Sequence, residues 1–239
     1  MRHGHHCTVI IPALNEEESI AAVIAEIPPW ADRILVADNG STDRTAIRAR
    51  EAGAEIVPAP RRGYGSACLA GIAAAGETGI LVFLDGDLSD HPDRMAALVD
   101  PIAAGEADMV IGSRVLGGAE PGALTPVQRF GNGLACRLIR LIWGTRYTDL
   151  GPFRAIARPA LEGLAMHDPD FGWTVEMQVK AAQRGLGILE VPVPYRRRIG
   201  TSKISGTIRG TVSAGTKILW VIFRSAVRRK RRTGPRRHP

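Results

Sequence analysis

Short apolar runs alternate with longer amphipathic stretches through the first half of this chain. Thr8–Pro12, Arg33–Ala37, Ala54–Val57, Ile80–Leu84 and Met109–Ile111 read as strands. Between them, Glu17–Ile27 reads as an amphipathic helix ended by Pro28-Pro29, and Ser41–Asp43 caps a helix running towards Gly53. The Ala-rich Ser66–Ala75 is helical, and a further helix starts at Pro92 with Asp90 as its cap. Strands and helices alternating at this spacing predict an α/β fold with a mostly parallel central sheet covered on both faces. Ligands of such sheets bind beyond the carboxyl ends of the strands. Asn15, Asp38, Asn39, Asp85, Asp87, Ser113 and Arg114 all follow predicted strand ends and should meet in one cleft.

The pattern changes after Gly117. A Gly/Pro-rich loop precedes a helix from about Pro126 to Trp143, followed by a strand at Phe153–Ala157. A helix at Trp173–Arg184, a strand at Leu186–Pro192 and a last helical stretch over Ile208–Val227 complete the reading. The 239 residues suit one good-sized domain with a modest appendage.

Composition adds two constraints. Cys7, Cys68 and Cys136 are odd in number, far apart and without a CxxC pair, which argues against a disulfide framework or zinc site and for a reducing, cytoplasmic setting. No secretory segment opens the sequence, and His3, His5 and His6 read as a solvated terminus. The net charge of +7 hides an asymmetry: 14 of the 31 Lys and Arg lie from Arg196 onward, after the last acid, Glu190. An acidic body with a basic end is a localised anion-binding device.

The most informative chemistry is Leu81-Val82-Phe83-Leu84-Asp85-Gly86-Asp87. Two carboxylates one residue apart at the end of an apolar strand repel each other unless a cation lies beside them. Hard oxygen donors suit Mg²⁺ or Mn²⁺, whose remaining ligands come from water and substrate phosphates. The same tripeptide also fits a plain turn.

Val9–Glu16 (VIIPALNE), Val36–Thr45 (VADNGSTDRT), LVFLDGD and Ile111–Arg114 (IGSR) together resemble the family 2 glycosyltransferases of GT-A fold. Thr148–Arg154 (TDLGPFR) and Gly200–Gly206 (GTSKISG) resemble the branch with dolichyl-phosphate mannosyltransferases and polyprenyl-phosphate glucosyltransferases. The resemblance spans roughly residues 8 to 206, with 207–239 left as a basic amphipathic helix and Arg-rich tail. It implies an inverting transfer of a hexose from a nucleotide-diphosphate sugar, of UDP-glucose or GDP-mannose type, to a dolichyl or undecaprenyl phosphate, with a divalent cation. Asp85 and Asp87 would hold the metal, Asp87 also counting as catalytic. Pro12, Ala13, Asn15, Glu16 and Asp38 would cradle base and ribose, with Asn39, Gly65, Gly86 and Arg114 also at the donor. Ala37-Asp38-Asn39 stands where paired acids are usual.

Asp149 is the acid this family places near the acceptor, although a turn before Gly151-Pro152 is its alternative. Arg114, Arg129, Arg198 and Lys203 are the expected phosphate contacts, against an exposed helix arginine for Arg129. Arg61-Arg62-Gly63-Tyr64-Gly65 ahead of a helix is a further anion-binding loop. Glu176 is a second acid, with an ordinary helix glutamate as its alternative.

Only six apolar residues run uninterrupted in Lys217–Arg224, far from the about 20 that a spanning helix needs. Ile208, Val212, Leu219, Ile222 and Phe223 followed by Arg228–Arg232 fit an interfacial helix on an anionic membrane, packing on the catalytic domain being the alternative. The basic run lacks interleaved stacking aromatics, so no nucleic-acid partner is expected. Two other chemistries share parts of the pattern: transfer to a soluble or lipid hydroxyl, and a sugar-nucleotide nucleotidyltransferase. The glycine-free Ala13-Leu14-Asn15-Glu16 loop disfavours the second.

Overall fold

The computed structural model describes residues 1–200 and 208–233. Among the described residues seven strands form one sheet: β1 (Cys7–Ala13), β2 (Arg33–Asp38), β3 (Glu55–Pro58), β4 (Ile80–Phe83), β5 (Met109–Ser113), β6 (Arg154–Ala157) and β7 (Ile188–Pro192). Their order is β3-β2-β1-β4-β6-β5-β7. All pairs are parallel except those of β6, which runs against both β4 and β5. Burial follows position. The central β1, β4 and β5 are buried throughout, while the edge strands β3 and β7 hold partly exposed residues.

Side chains alternate across the sheet and build two cores. On one face Val9, Ile11, Val36, Val82 and Val110 meet α1 (Ile20–Ala25), α2 (Thr45–Glu51) and α4 (Met95–Ala103) through Val23, Ala49 and Leu98. On the other, Ile10, Leu35, Phe83 and Ile111 meet α3 (Tyr64–Ala74), α6 (Pro126–Trp143), α7 (Arg158–Leu164) and α8 (Trp173–Arg184). A short α5 (Arg114–Gly117) follows β5 directly. The last helix, α9 (Ile208–Thr233), packs on α6 and α8 and buries Val221 and Ile222 in the second core. Trp173, wholly buried, stacks at a tilt on Phe83 with ring centres 4.8 Å apart.

Three local expectations are corrected. Asp90 does not cap the helix beginning at Pro92; that end follows His91, and Asp90 accepts a hydrogen bond from the Asp85 N–H at 3.2 Å. The helix expected from Glu17 begins only at Ile20, because Glu16 and Glu17 turn towards Ser41–Thr45. The Ala-rich helix begins at Tyr64, two residues early, with its first turn held by Pro169.

β6 matters most for function. Its reversal puts its first residue, Arg154, in register with Phe83 of β4 and Ile111 of β5, near their carboxyl ends. Residues 149–153, which precede β6, therefore stand at the ligand edge of the sheet with Asp85 and Arg114.

Candidate active site

A cleft of about 410 Å³ opens at this edge, walled by the segments after β1, β2 and β4, the start of α3, and Asp170, Phe171 and Arg198. Of the residues singled out in the sequence, Pro12, Ala13, Glu16, Asn39, Asp85, Gly86, Asp87 and Arg198 line it. Arg62 and Tyr64 of the basic loop line it as well.

Asp85 Oδ1 accepts a hydrogen bond from the Tyr64 hydroxyl at 3.1 Å. Burial, then the neighbouring Asp87 charge, push the Asp85 carboxyl up to about 7. Asp87 Oδ1 accepts from the Ser89 N–H at 2.9 Å, and its Oδ2 meets Arg198 Nη2 at 3.0 Å. Arg198 Nη2 also lies 3.6 Å from Glu16 Oε1, so one guanidinium bridges two walls of the cleft. The buried Asp90 carboxyl is likewise raised, by burial first and then by Asp85.

Among the described residues no group of three or more acidic, His or Cys side chains forms a ready-made metal cage. Two adjacent carboxylates in a cleft nonetheless fit a hard divalent cation that takes its other ligands from substrate oxygens and water.

Several expected contacts, Asn39 of the lining among them, are also held by bonds within the protein. Asn39 spends its amide on Ala59 O at 2.8 Å and Arg61 O at 2.7 Å, and its oxygen accepts from Gly63 N at 2.8 Å. It thereby shapes the 59–63 loop. Asp38 accepts from Ser41 N at 3.1 Å. Asn15, in a left-handed conformation (φ 53°), accepts from Thr42 N at 2.8 Å. At Gly65 an added Cβ would stand 2.1 Å from Asp168 O, so only glycine lets α3 approach that segment.

Asp149 is 1% exposed and held by Arg114 at both oxygens, with Nε–Oδ2 and Nη2–Oδ1 distances of 2.7 Å. Burial alone would lower the guanidinium pKa, but Asp149 outweighs it and holds the value above the usual arginine range. Arg114 also lies over the Tyr195 ring, 5.0 Å from its centre. Neither residue lines the cleft itself. Glu190 accepts from Thr148 N and Asp149 N, and the fully buried Arg154 donates to the Leu150, Gly151 and Thr174 carbonyls. The sequence offered no role for either: Arg154 closes the TDLGPFR segment without a function of its own, and Glu190 stands in no motif.

Arg129 is exposed on α6, and Lys203 lies outside the described residues. Glu176 is buried, accepting from His167 N and Asp168 N and pairing with Lys180. It is a structural anchor away from the cleft lining.

The glycosyl transferase family 2 model matches residues 8–164, which carry every segment of this cleft except Asp170, Phe171 and Arg198. The chain is a family 2 glycosyltransferase. It is 40% identical over 214 residues to an uncharacterized glycosyltransferase of Mycobacterium tuberculosis, covering 88% of this chain and 95% of the other. Against the dolichyl-phosphate hexose transferase of Haloferax volcanii, identity is 31% over 223 residues, covering 92% and 95%. Among solved structures, it resembles the glucosyl-3-phosphoglycerate synthase of M. tuberculosis in complex with Mn²⁺, UDP and glucosyl-3-phosphoglycerate. There the TM-score is 0.76 at 26% identity, covering 94% of this chain and 81% of that one. The family 2 glycosyltransferase fold, read from the sequence as GT-A, is thus the fold of this chain.

Proposed function

We propose that this glycosyltransferase moves a hexose from a nucleoside-diphosphate sugar to a polyprenyl phosphate at a membrane surface, with inversion. The observation that carries the donor half is one cleft holding the post-β1 segment, Asp85 and Asp87, and the cations Arg62 and Arg198. Pro12, Ala13, Glu16 and Asn39 form the wall for base and ribose, and the arginines face the diphosphate. Asp85 and Asp87 would hold Mg²⁺ or Mn²⁺, which, when bound, offsets the charge that develops on the leaving diphosphate.

The acceptor phosphate oxygen attacks the anomeric carbon from the face opposite the diphosphate. The carbon–oxygen bond to the diphosphate breaks and its electron pair leaves with that group. A phosphate acceptor is already ionised at neutral pH, so no base must remove a proton. Asp149 then acts through Arg114: it holds the guanidinium at the acceptor side, and a carboxylate gripped at both oxygens is a poor base. Arg129 and Lys203 remain candidates for acceptor phosphate contact.

The acceptor half rests on the outer faces of α6 and α9. Val127, Phe130 and Leu141 of α6 are 60%, 71% and 72% exposed, and Leu219, Trp220 and Phe223 form a similar outward stripe on α9. No acid occurs between Glu120 and Asp149 or after Glu190, so the charged residues of these two segments are all arginine or lysine. Apolar stripes with basic flanks fit an anionic lipid surface. No described helix is long and apolar enough to cross a membrane.

A second reading, a soluble phosphorylated acceptor, is favoured by the likeness to the glucosyl-3-phosphoglycerate synthase. The test is nucleoside diphosphate release from a panel of UDP- and GDP-sugars with Mn²⁺ or Mg²⁺. Undecaprenyl phosphate in vesicles is compared with 3-phosphoglycerate and with no acceptor. Release stimulated by the lipid phosphate supports the proposal, and release stimulated by phosphoglycerate alone refutes it.

A further inference from the structure

One wall of the donor cleft is built by a segment tied to α9. Residues 165–172 connect α7 to α8 and bring Asp170 and Phe171 to the cleft lining. Three elements clamp this segment. From α8, Glu176 accepts from His167 N at 3.1 Å and Asp168 N at 2.8 Å. From α3, Ser66 N donates to Pro169 O at 2.8 Å. From α9, Lys217 Nζ reaches Asp168 Oδ2 at 3.1 Å. The remaining Asp168 oxygen accepts from Asp170 N at 2.9 Å, so one buried carboxylate joins the α9 cation to the backbone of a cleft residue. A Cβ at Gly172 would lie 2.7 Å from both Asp168 Oδ2 and Val221 of α9, which leaves the joint no slack.

We propose that Lys217 is a positioning residue for the donor site: through Asp168 it sets the backbone that presents Asp170 and Phe171 to the bound nucleotide. This deepens the functional reading above and rests on it. Lys217 also stands 5.5 Å from the centre of the Trp220 ring, part of the outward stripe of α9, so the same side chain joins that stripe to the cleft wall.

The experiment is isothermal titration of the full chain with UDP and with GDP in the presence of Mn²⁺, alongside thermal melts. Lys217→Ala and Asp168→Asn should each weaken nucleotide binding about five-fold. The double variant should lose no more than either single one, and Lys217→Arg should retain wild-type affinity. A merely structural ion pair would lower the melting midpoint and leave the affinity of the folded protein unchanged, and that result overturns the proposal. Losses that add independently in the double variant overturn it too. Wild-type protein that bound neither nucleotide would overturn the functional reading itself, and this link with it.

Discussion

Arg114 and Asp149 stand at the ends of different chain segments and are joined by two parallel hydrogen bonds of 2.7 Å, with a third from the Arg114 backbone N–H at 2.9 Å. The acid is buried, so removing its charge strands the guanidinium. Asp149→Asn should cost about 3 kcal/mol of stability, measured by urea unfolding. A free catalytic base would behave otherwise, with turnover abolished and stability unchanged.

The pH dependence of metal binding should follow Asp85. Its folded pKa is raised to about 7, so the proton-bound form is favoured by folding. That contribution is full below the unfolded value of about 4 and is lost as pH rises through about 7. A cation needs the ionised carboxylate and should recover the loss. Added Mn²⁺ should therefore raise the unfolding midpoint more at pH 8 than at pH 5.5, and an equal rise at both would contradict this.

Much of this was legible in the chain. Runs such as Val9–Ile11 and Leu81–Leu84 are buried on both faces and show it as unbroken apolar stretches, so strands and the ligand edge could be read directly. DGD stood out because paired acids at a strand end are costly without a cation. What stayed hidden is long-range. Nothing local in Arg154-Ala155-Ile156-Ala157 says that this strand enters the sheet reversed, between β4 and β5. The partners of Asp149, Asp87 and Asp168 lie 35, 111 and 49 positions away along the chain, at Arg114, Arg198 and Lys217. Asp90 was misread because its true partner, the Asp85 N–H, competes with helix capping in a way that spacing does not reveal.

Two glycines should respond oppositely to alanine. Gly133 lies mid-helix in α6, with nothing within 4 Å of an added Cβ. Gly133→Ala should stabilise by up to about 1 kcal/mol, seen as a melting midpoint higher by about 2–4 °C. Gly65→Ala would drive a methyl into Asp168 O and should lower both the melting midpoint and nucleotide affinity.

Membrane contact is tested with substitutions rather than by deleting α9, because Val221 and Ile222 belong to the core. Phe130→Asp and Phe223→Asp, at sites 71% and 67% exposed, should each reduce sedimentation with phosphatidylglycerol vesicles while leaving the melting midpoint within about 1 °C of wild type. Undiminished sedimentation in the double variant would contradict the assignment of these faces.

The central claim is that Asp85 and Asp87 hold the cation that steadies the departing diphosphate. Mn²⁺ binding in the presence of UDP or GDP, followed by the paramagnetic resonance of free Mn²⁺, tests it most directly. Asp85→Ala and Asp87→Ala should each weaken Mn²⁺ binding by at least about 100-fold, the upper end of what losing even an outer-sphere partner costs. Wild-type Mn²⁺ affinity in Asp85→Ala would contradict the account.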